Sequence, residues 1–398
     1  MEILMLSYWD FQKQGMQVTL KTPLYFAEQG HKVKFFVHSE RTTNPSKIDN
    51  LHPNLEVFRF NLPLKLFARF PKINRIRQLL LFALFSIYRI FNLYRKNNKP
   101  DLIYAAECDA ILTGSLLRKI YKVPFVTRYY GISNILVKNL HKHLFYHLSL
   151  KQSADLSIVT NDGTNGLEIL KSVNPNIKEF KFWRNGIEAP KINSKLLNKY
   201  KKMYSIKNDD FVLLTVGRLY GWKRLDRAIK TVKYLKNRQK VKLLIVGEGS
   251  EKENLEKLAE NLKVEDSVIF TGPIDHNKIY NIYEFADVLF SLHDMANAGN
   301  QLYEALNSST CILTIDIGGS TEILRNGKNG IVVNFTKDEE KLIKNIAKEI
   351  NALMQNRKKL NKLKKEAKKT ANQILWTWDE RLKAELESLE DLVKDYNK

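Results

Sequence analysis

Two α/β units, each built on a doubly wound parallel sheet, are predicted by three features of the 398-residue chain. Short apolar runs that read as fully buried strands alternate with amphipathic helical stretches from the first residues to about residue 335. The alternation pauses at RNGIEAP (184–190), whose Asn-Gly and proline read as a turn and connector, and restarts at Phe211. The chain is also longer than one hydrophobic core comfortably serves.

Taken in order, residues 2–7 read as a strand, and the acidic Glu2 ahead of it argues against a signal peptide. A loop carrying Gly15 follows. A helix then runs through Thr19, Leu20, Leu24, Ala27 and Glu28 to Gly30, and HKVKFFVHS gives the second strand. This is a βαβ unit with one loop glycine instead of G-x-G-x-x-G, so no dinucleotide fingerprint is present. Gly15 reads as a point where the backbone approaches a ligand in an interdomain cleft. From Arg59 to Lys99 the run RFNLPLKLFARFPKINRIRQLLLFALFSIYRIFNLYRKNNK mixes Leu, Phe and Ile with Lys65, Arg69, Lys72, Arg75, Arg77, Arg89, Arg95 and Lys96. Its apolar part, Leu79 to Leu93, is too short to span a bilayer and is broken by Arg89. It suits a helix lying on an anionic membrane surface; the plainer alternative is a core-facing helix with solvated flanks. DLIYAAE, VPFVTRYYG and ADLSIVT are further buried strands, and NGLEILKS is a helix.

The second series opens with FVLLTVGRLYGWKRLD (211–226). An apolar strand ends at Gly217, and helical spacing then puts Leu225, Ala228, Ile229 and Val232 on one face. Arg218 and Lys223 fall between strand and helix, at the carboxyl end of a parallel strand where open sheets leave a ligand crevice. Two cations beside a helix N-terminus make a seat for a phosphate or diphosphate. The series goes on through VKLLIVGEGS, DSVIFTGPI and ADVLFSL. In NAGNQLYEAL (297–306) Gly299 and Asn300 stand at a helix start, whose amides suit a phosphate, with Glu304 one turn in as an acceptor for ribose hydroxyls. The Gly-Gly-Ser at 318–320 is expected to open a similar helix bearing Glu322. The Lys- and Glu-rich tail from Lys337 reads as helices, its run LNKLKKEAKKT as a solvated face.

Charge narrows the partner. Sixty-five Lys and Arg against forty-three Asp and Glu give +22, which implies nucleic acid, a phosphorylated substrate or anionic lipid. Stacking-aromatic and groove-reading patterns are missing, so nucleic acid is not expected. Cys108 and Cys311 are far apart, without metal or disulfide spacing, and read as reduced core residues of a cytosolic protein.

VGRL with Lys223 five residues after Arg218, then VGEG, F-x-G, the G-N-x-x-x-E-A helix and GG-x-x-E, resembles the C-terminal half of family 4 retaining glycosyltransferases. The resemblance covers about 211–335 with specific, ordered motifs and 1–186 more weakly; NGI at 185–187 and the segment from Trp376 to Arg381 also match. It implies the GT-B architecture: two facing Rossmann-like domains with a cleft between them, at 1–186 and 187–375, and a helix over 376–398 returning to the N-terminal domain. It also implies transfer of a sugar, hexosyltransferase-like and with retention, from a nucleotide diphosphate-sugar donor. The acceptor would be a glycan or lipid-linked hydroxyl in cell-surface polysaccharide or glycolipid synthesis. Carried over, Arg218 and Lys223 neutralise the diphosphate and Glu304 holds the ribose. The main chain at Pro273 and Ile274 meets the base, and amides at Gly299 and Asn300 face the sugar or phosphate. The family's Glu eight residues before its ribose-binding Glu is Ala296 here, and Tyr130 takes the place of a His after the strand PFVT. No Asp-x-Asp is present, so a metal-independent reaction without cofactor is expected. The anionic membrane reading makes the protein cytoplasmic and peripheral on the inner face. A nonenzymatic nucleotide-sugar binder is the rival prompted by Ala296.

Overall fold

The computed structural model describes residues 1–7, 17–39, 51–61, 71–94, 98–132, 143–160, 165–295, 298–317 and 319–398. Gly15, Ala296, Gly318 and the basic stretch 62–70 lie outside them. The chain divides into two compact units.

The first unit comprises Met1–Asn161, Asn165–Asn185 and Asp379–Lys398. Its strands are β1 (Glu2–Ser7), β2 (Lys32–Ser39), β3 (Leu55–Asn61), β4 (Leu102–Ala106), β5 (Phe125–Tyr129), β6 (Leu156–Val159) and β7 (Glu179–Phe182). They pair in parallel in the order β3-β2-β1-β4-β5-β6-β7. The central strands are unbroken apolar runs because helices cover both faces of the sheet. On one face lie α2 (Pro71–Leu93), α3 (Cys108–Tyr121) and α4 (Leu144–Leu150), contributing Phe82, Ile90, Ile111, Leu117 and Leu150 to the core. The other face takes Phe26 of α1 (Gln17–Glu28).

Two strands are not anticipated by the sequence reading. In β3, Leu55 and Phe58 point inward while Glu56 and Arg59 break the apolar run, and β7 is a short, half-exposed edge. Edge strands bury less, so they lack the apolar signature that betrays the centre. Arg59 to Asn61, read above as the start of the basic run, therefore finish a strand.

The second unit comprises Gly186–Trp378 with Asp162–Thr164. It contains α6 (Ser194–Met203), β8 (Phe211–Val216), α7 (Leu225–Lys233), β9 (Val241–Val246), α8 (Lys252–Asn261) and β10 (Val268–Gly272). There follow α9 (Tyr280–Phe285), β11 (Val288–Ser291), α10 (Asn300–Asn307), β12 (Cys311–Ile315), β13 (Ile331–Val333), α11 (Glu339–Gln355) and α12 (Arg357–Ile374). The label α5 belongs to Gly166–Val173 of the first unit, and α13 to Trp378–Tyr396. The sheet is parallel throughout, ordered β10-β9-β8-β11-β12-β13. Strand order reverses between β8 and β11, as it does between β1 and β4 in the first unit. That reversal is where successive crossovers leave on opposite faces, so the loops beyond the carboxyl ends diverge and a crevice opens.

Two expectations need correction here. The segment after Gly319 is not a helix bearing Glu322 but one 3₁₀ turn, Ser320–Glu322. Asn329 ends it: its Oδ1 accepts from Arg325 N (2.6 Å) and its Nδ2 donates to Ile323 O (3.0 Å), turning the chain back toward β13. The Lys-rich run of α12 is not simply a solvated face. Leu360, Leu363, Ala367 and Ala371 are buried, and Lys368 Nζ donates to the carbonyl of Asn307 (2.6 Å), a cation at the end of α10.

Candidate active site

The loop after β8 is braced by main chain. Leu219 N donates to Glu248 O (2.9 Å), and Glu251 N donates back to Leu219 O (3.0 Å). Gly247 sits at φ 137°, and a Cβ there would lie 1.9 Å from Gly217 O; at Gly249 it would lie 2.5 Å from Leu219 O. Only glycine allows the β8 and β9 loops to touch backbone to backbone. VGRL (216–219) and VGEG (246–249) thus each supply half of one rigid rim.

Arg218 and Lys223 stand on that rim. Arg218 is exposed, its guanidinium 5.9 Å from the Tyr220 ring, and among the described residues no carboxylate pairs with it. The Lys223 ammonium lies 4.2 Å above the Trp222 ring. Trp222 in turn meets His293 edge to face (5.7 Å), and its carbonyl accepts from Asp294 N (3.3 Å). The cation loop is thus fastened to the loop following β11, across the switch point.

Ion pairs reinforce this fastening. Arg224 caps α7 from the left-handed region (φ 50°), a conformation costing a non-glycine residue on the order of 1 kcal/mol. Its guanidinium reaches Asp226 (3.0 Å), Asp294 (3.2 Å) and Glu339 (2.6 Å). The buried Arg227 bonds Asp294 (2.9 Å), Glu339 (2.7 Å) and the carbonyl of Leu292 (2.8 Å). Hydrogen bonding from Arg227 holds the Glu339 carboxyl below its ordinary range despite partial burial. Sequence reading missed this cluster, because Glu339 lies 112 positions from Arg227 and nothing local marks the pair. Asp294, two positions before Ala296, is committed to these arginines.

Glu304 is buried on α10. Its Oε2 accepts from Tyr283 OH (3.0 Å), and its Oε1 lies 3.1 Å from His276 Nε2. The hydrogen bond to Glu304 raises the His276 pKa against the effect of its burial; burial first, and then the Glu304 charge, push the Tyr283 phenol well up. A carboxylate fixed by two side chains presents its remaining lone pairs in one direction. His276 and Tyr283 were not anticipated; His276 sits two residues beyond Ile274, close enough in sequence to have been considered.

Gly299 caps α10, and Gln301 folds back over it: a Cβ at Gly299 would lie 2.7 Å from Gln301 Oε1. Gln301 Nε2 is buried and, among the described residues, has no hydrogen-bond partner. A buried donor left unpaired costs about 1–3 kcal/mol until something accepts from it. Pro273 and Ile274 follow β10, whose Gly272 carbonyl accepts from Gly247 N (3.0 Å). Arg218, Lys223, Pro273, Ile274, Gly299, Asn300 and Glu304 therefore all lie beyond the carboxyl ends of neighbouring parallel strands in one unit, or on the helix that follows. Tyr130 belongs to the other unit, directly after β5. Its main-chain N donates to Glu107 Oε1 (2.6 Å), its ring faces Arg128 (5.6 Å), and burial pushes its phenol up to about 12. Among the described residues no group of His, Cys, Asp and Glu side chains converges as a metal site.

Residues 198–370 match the family described as glycosyl transferases group 1. This segment is a group 1 glycosyltransferase domain. The chain is 30% identical over 168 residues to an uncharacterized glycosyltransferase of Methanocaldococcus jannaschii, a match covering 42% of each chain. An alpha-monoglucosyldiacylglycerol synthase of Streptococcus pneumoniae is 30% identical over 127 residues, 32% of this chain and 29% of that one. The chain thus spans less than half the length of either relative. Anabaena HepE in complex with UDP-glucose superposes with a TM-score of 0.75 at 16% identity, covering 98% of this chain and all of that one. At that identity the likeness carries the fold, which is that of GT-B glycosyltransferases. The glycine-braced rim thus lies within the matched residues.

Proposed function

We propose that the chain moves a sugar from a nucleotide diphosphate-sugar to a hydroxyl of a glycan or lipid-linked acceptor, with retention at the anomeric carbon, in cell-surface glycan or glycolipid synthesis. The observation that carries this reading is Arg218: a cation on a rigid rim at the switch point, with no carboxylate paired to it among the described residues. A cation kept clear of acids and backed by helix N-termini is preorganised for anionic oxygen. Arg218 and Lys223 take the diphosphate, whose charge grows as it leaves, with the amides at Gly299 and Asn300 beside them. Glu304 accepts from the ribose, and the main chain at Pro273 and Ile274 meets the base. Gln301 Nε2 offers the sugar end a donor where Ala296 offers none.

In the step itself the bond from the anomeric carbon to the β-phosphate oxygen breaks. The acceptor oxygen bonds to the same face of that carbon, and its proton passes to the departing phosphate oxygen. Side-chain cations supply the charge compensation without a metal, and no second carboxylate is required as nucleophile. Tyr130 is assigned to the transferred sugar on family resemblance, and Gly15, the one glycine of its loop, is assigned to backbone approach toward a ligand.

The test is release of nucleoside diphosphate from a panel of nucleotide-sugars, with glycan and diacylglycerol acceptors, and the anomeric configuration of the product. Acceptor-dependent release with retained configuration is expected. A nucleotide-sugar that stabilises the fold yet is never turned over makes the protein a sensor; inversion sinks the same-face step.

A further inference from the structure

The helices α2, α3 and α4 form one layer over the first sheet, and their outward side is apolar. On α2 the exposed residues Leu80 (55%), Leu84 (62%), Tyr88 (66%) and Phe91 (43%) follow helical spacing, while Phe82, Ser86 and Ile90 are buried beneath them. Leu116 and Ile120 are exposed on α3, one turn apart, and Leu144 and Leu148 on α4. Phe91 meets Tyr121 at the end of α3 (6.1 Å between rings). Eight of the sixteen large exposed apolar side chains named for the described residues thus sit on three neighbouring helices. A concentration of that kind marks a surface that something covers.

Charge on the same layer is one-sided. Helices α2 and α4 contain no Asp or Glu, and Asp109 is the one acid in α3. Arg89, Lys119, Lys122 and Lys151 are exposed on or at the ends of these helices, and Lys72, Arg75 and Arg77 lie in the first turns of α2. Long basic side chains beside aliphatic and aromatic ones let the apolar groups enter the acyl boundary while ammonium and guanidinium groups meet lipid phosphates. No helix among the described residues is long and apolar enough to cross a membrane.

We propose that the outward side of α2, α3 and α4 docks the protein flat on an anionic bilayer, at the inner face of the cell membrane. This goes beyond the transfer reaction, and it extends the contact expected of the run from Arg59 to Lys96, which includes α2, to α3 and α4.

The test is co-sedimentation of the whole chain with phosphatidylglycerol–phosphatidylcholine vesicles and with phosphatidylcholine alone. The variants are Leu84→Ser with Tyr88→Ser, and Met203→Ser, which is equally exposed but lies on α6 of the other unit. Native protein is expected to prefer anionic vesicles and to detach as salt rises, since exposed charges are screened within about 8 Å at physiological ionic strength. The double variant is expected to lose about tenfold or more of its vesicle affinity, with Met203→Ser unchanged. Both altered residues are mostly exposed, so the melting temperature is expected to hold, as is any stabilisation by nucleotide-sugar. No preference for anionic vesicles, or undiminished binding by the double variant, overturns the proposal. So does a native dimer that the double variant abolishes, which would make the face a contact between copies of the chain. Absence of nucleotide-sugar stabilisation in native protein refutes the transferase reading instead and leaves the vesicle result standing.

Discussion

The two sheets run in the same order, yet the ends of their strands have opposite fates. In the first unit the end of β5 is sealed. Arg128 bonds Glu385 (2.9 Å) and Thr160 (2.8 Å), Arg381 bonds Glu385 (2.7 Å), Tyr104 OH donates to Glu385, and all are buried. Burial would raise the Glu385 carboxyl, but the two guanidinium groups more than offset that and hold it low. Helix α13 brings Arg381 and Glu385 there, anchored by Leu386, Leu389 and Val393. In the second unit the end of β8 is open: its arginine at 218 points into solvent, and the neighbouring Arg224 and Arg227 take up the acids around it. Cations satisfied by carboxylates hold the structure together; a cation kept apart from them is available to a ligand.

The sealed cluster is where a mutation should cost most stability. Glu385→Gln strands two buried guanidinium groups, which by analogy with broken buried pairs costs about 3–5 kcal/mol. Thermal unfolding is the measurement; a variant as stable as native protein would erase the distinction between the two regions. Because the Glu385 pKa is lowered by folding, its contribution is present above the unfolded value near 4.3 and is lost as pH falls through the folded one.

The open rim should behave in reverse. Arg218→Ala and Lys223→Ala are each expected to lower turnover by about two orders of magnitude, the scale of losing one preorganised stabiliser, with little change in melting temperature. Equal activity would return both to ordinary loop charges.

Glu304→Gln sharpens the picture within the rim. It keeps the side chain's shape and its bond from Tyr283 but loses a charge-assisted acceptor, so nucleotide affinity should weaken by about 1.5–3 kcal/mol. Calorimetry with a nucleoside diphosphate reads this directly, and unchanged affinity would leave Glu304 a structural partner of His276 and Tyr283.

The smallest effect is a pH dependence. Folding raises the His276 pKa, so its pairing with Glu304 contributes fully below the unfolded value of about 6.5 and fades as pH rises through the folded one. The melting-temperature gap between native protein and His276→Gln should therefore shrink with rising pH. A gap that widens contradicts the pairing.

Much of this was legible in the chain before any coordinates. Central strands announce themselves because burial on both faces demands unbroken apolar runs, whereas the backbone contact that requires glycine at 247 and 249 emerges only with the fold. Edge strands such as β7 carry no such demand. Glu304 could be singled out by its place one turn into a helix, but its supports, His276 and Tyr283, come from the preceding strand-helix connection and the helix after it. The Arg224, Arg227, Asp294 and Glu339 cluster joins three segments distant in sequence, and no local spacing encodes a contact made only by folding.

The central claim is that the β8 rim is a seat for a diphosphate. Its most direct measurement is the affinity of native protein, Arg218→Ala and Lys223→Ala for a nucleoside diphosphate and for the matching monophosphate. Native protein should bind the diphosphate at least about tenfold more tightly, since charge-assisted contacts to the second phosphate are each worth about 1.5–3 kcal/mol, and both variants should lose most of that preference. Equal affinity of native protein for the two ligands, or a preference that survives both substitutions, would contradict it.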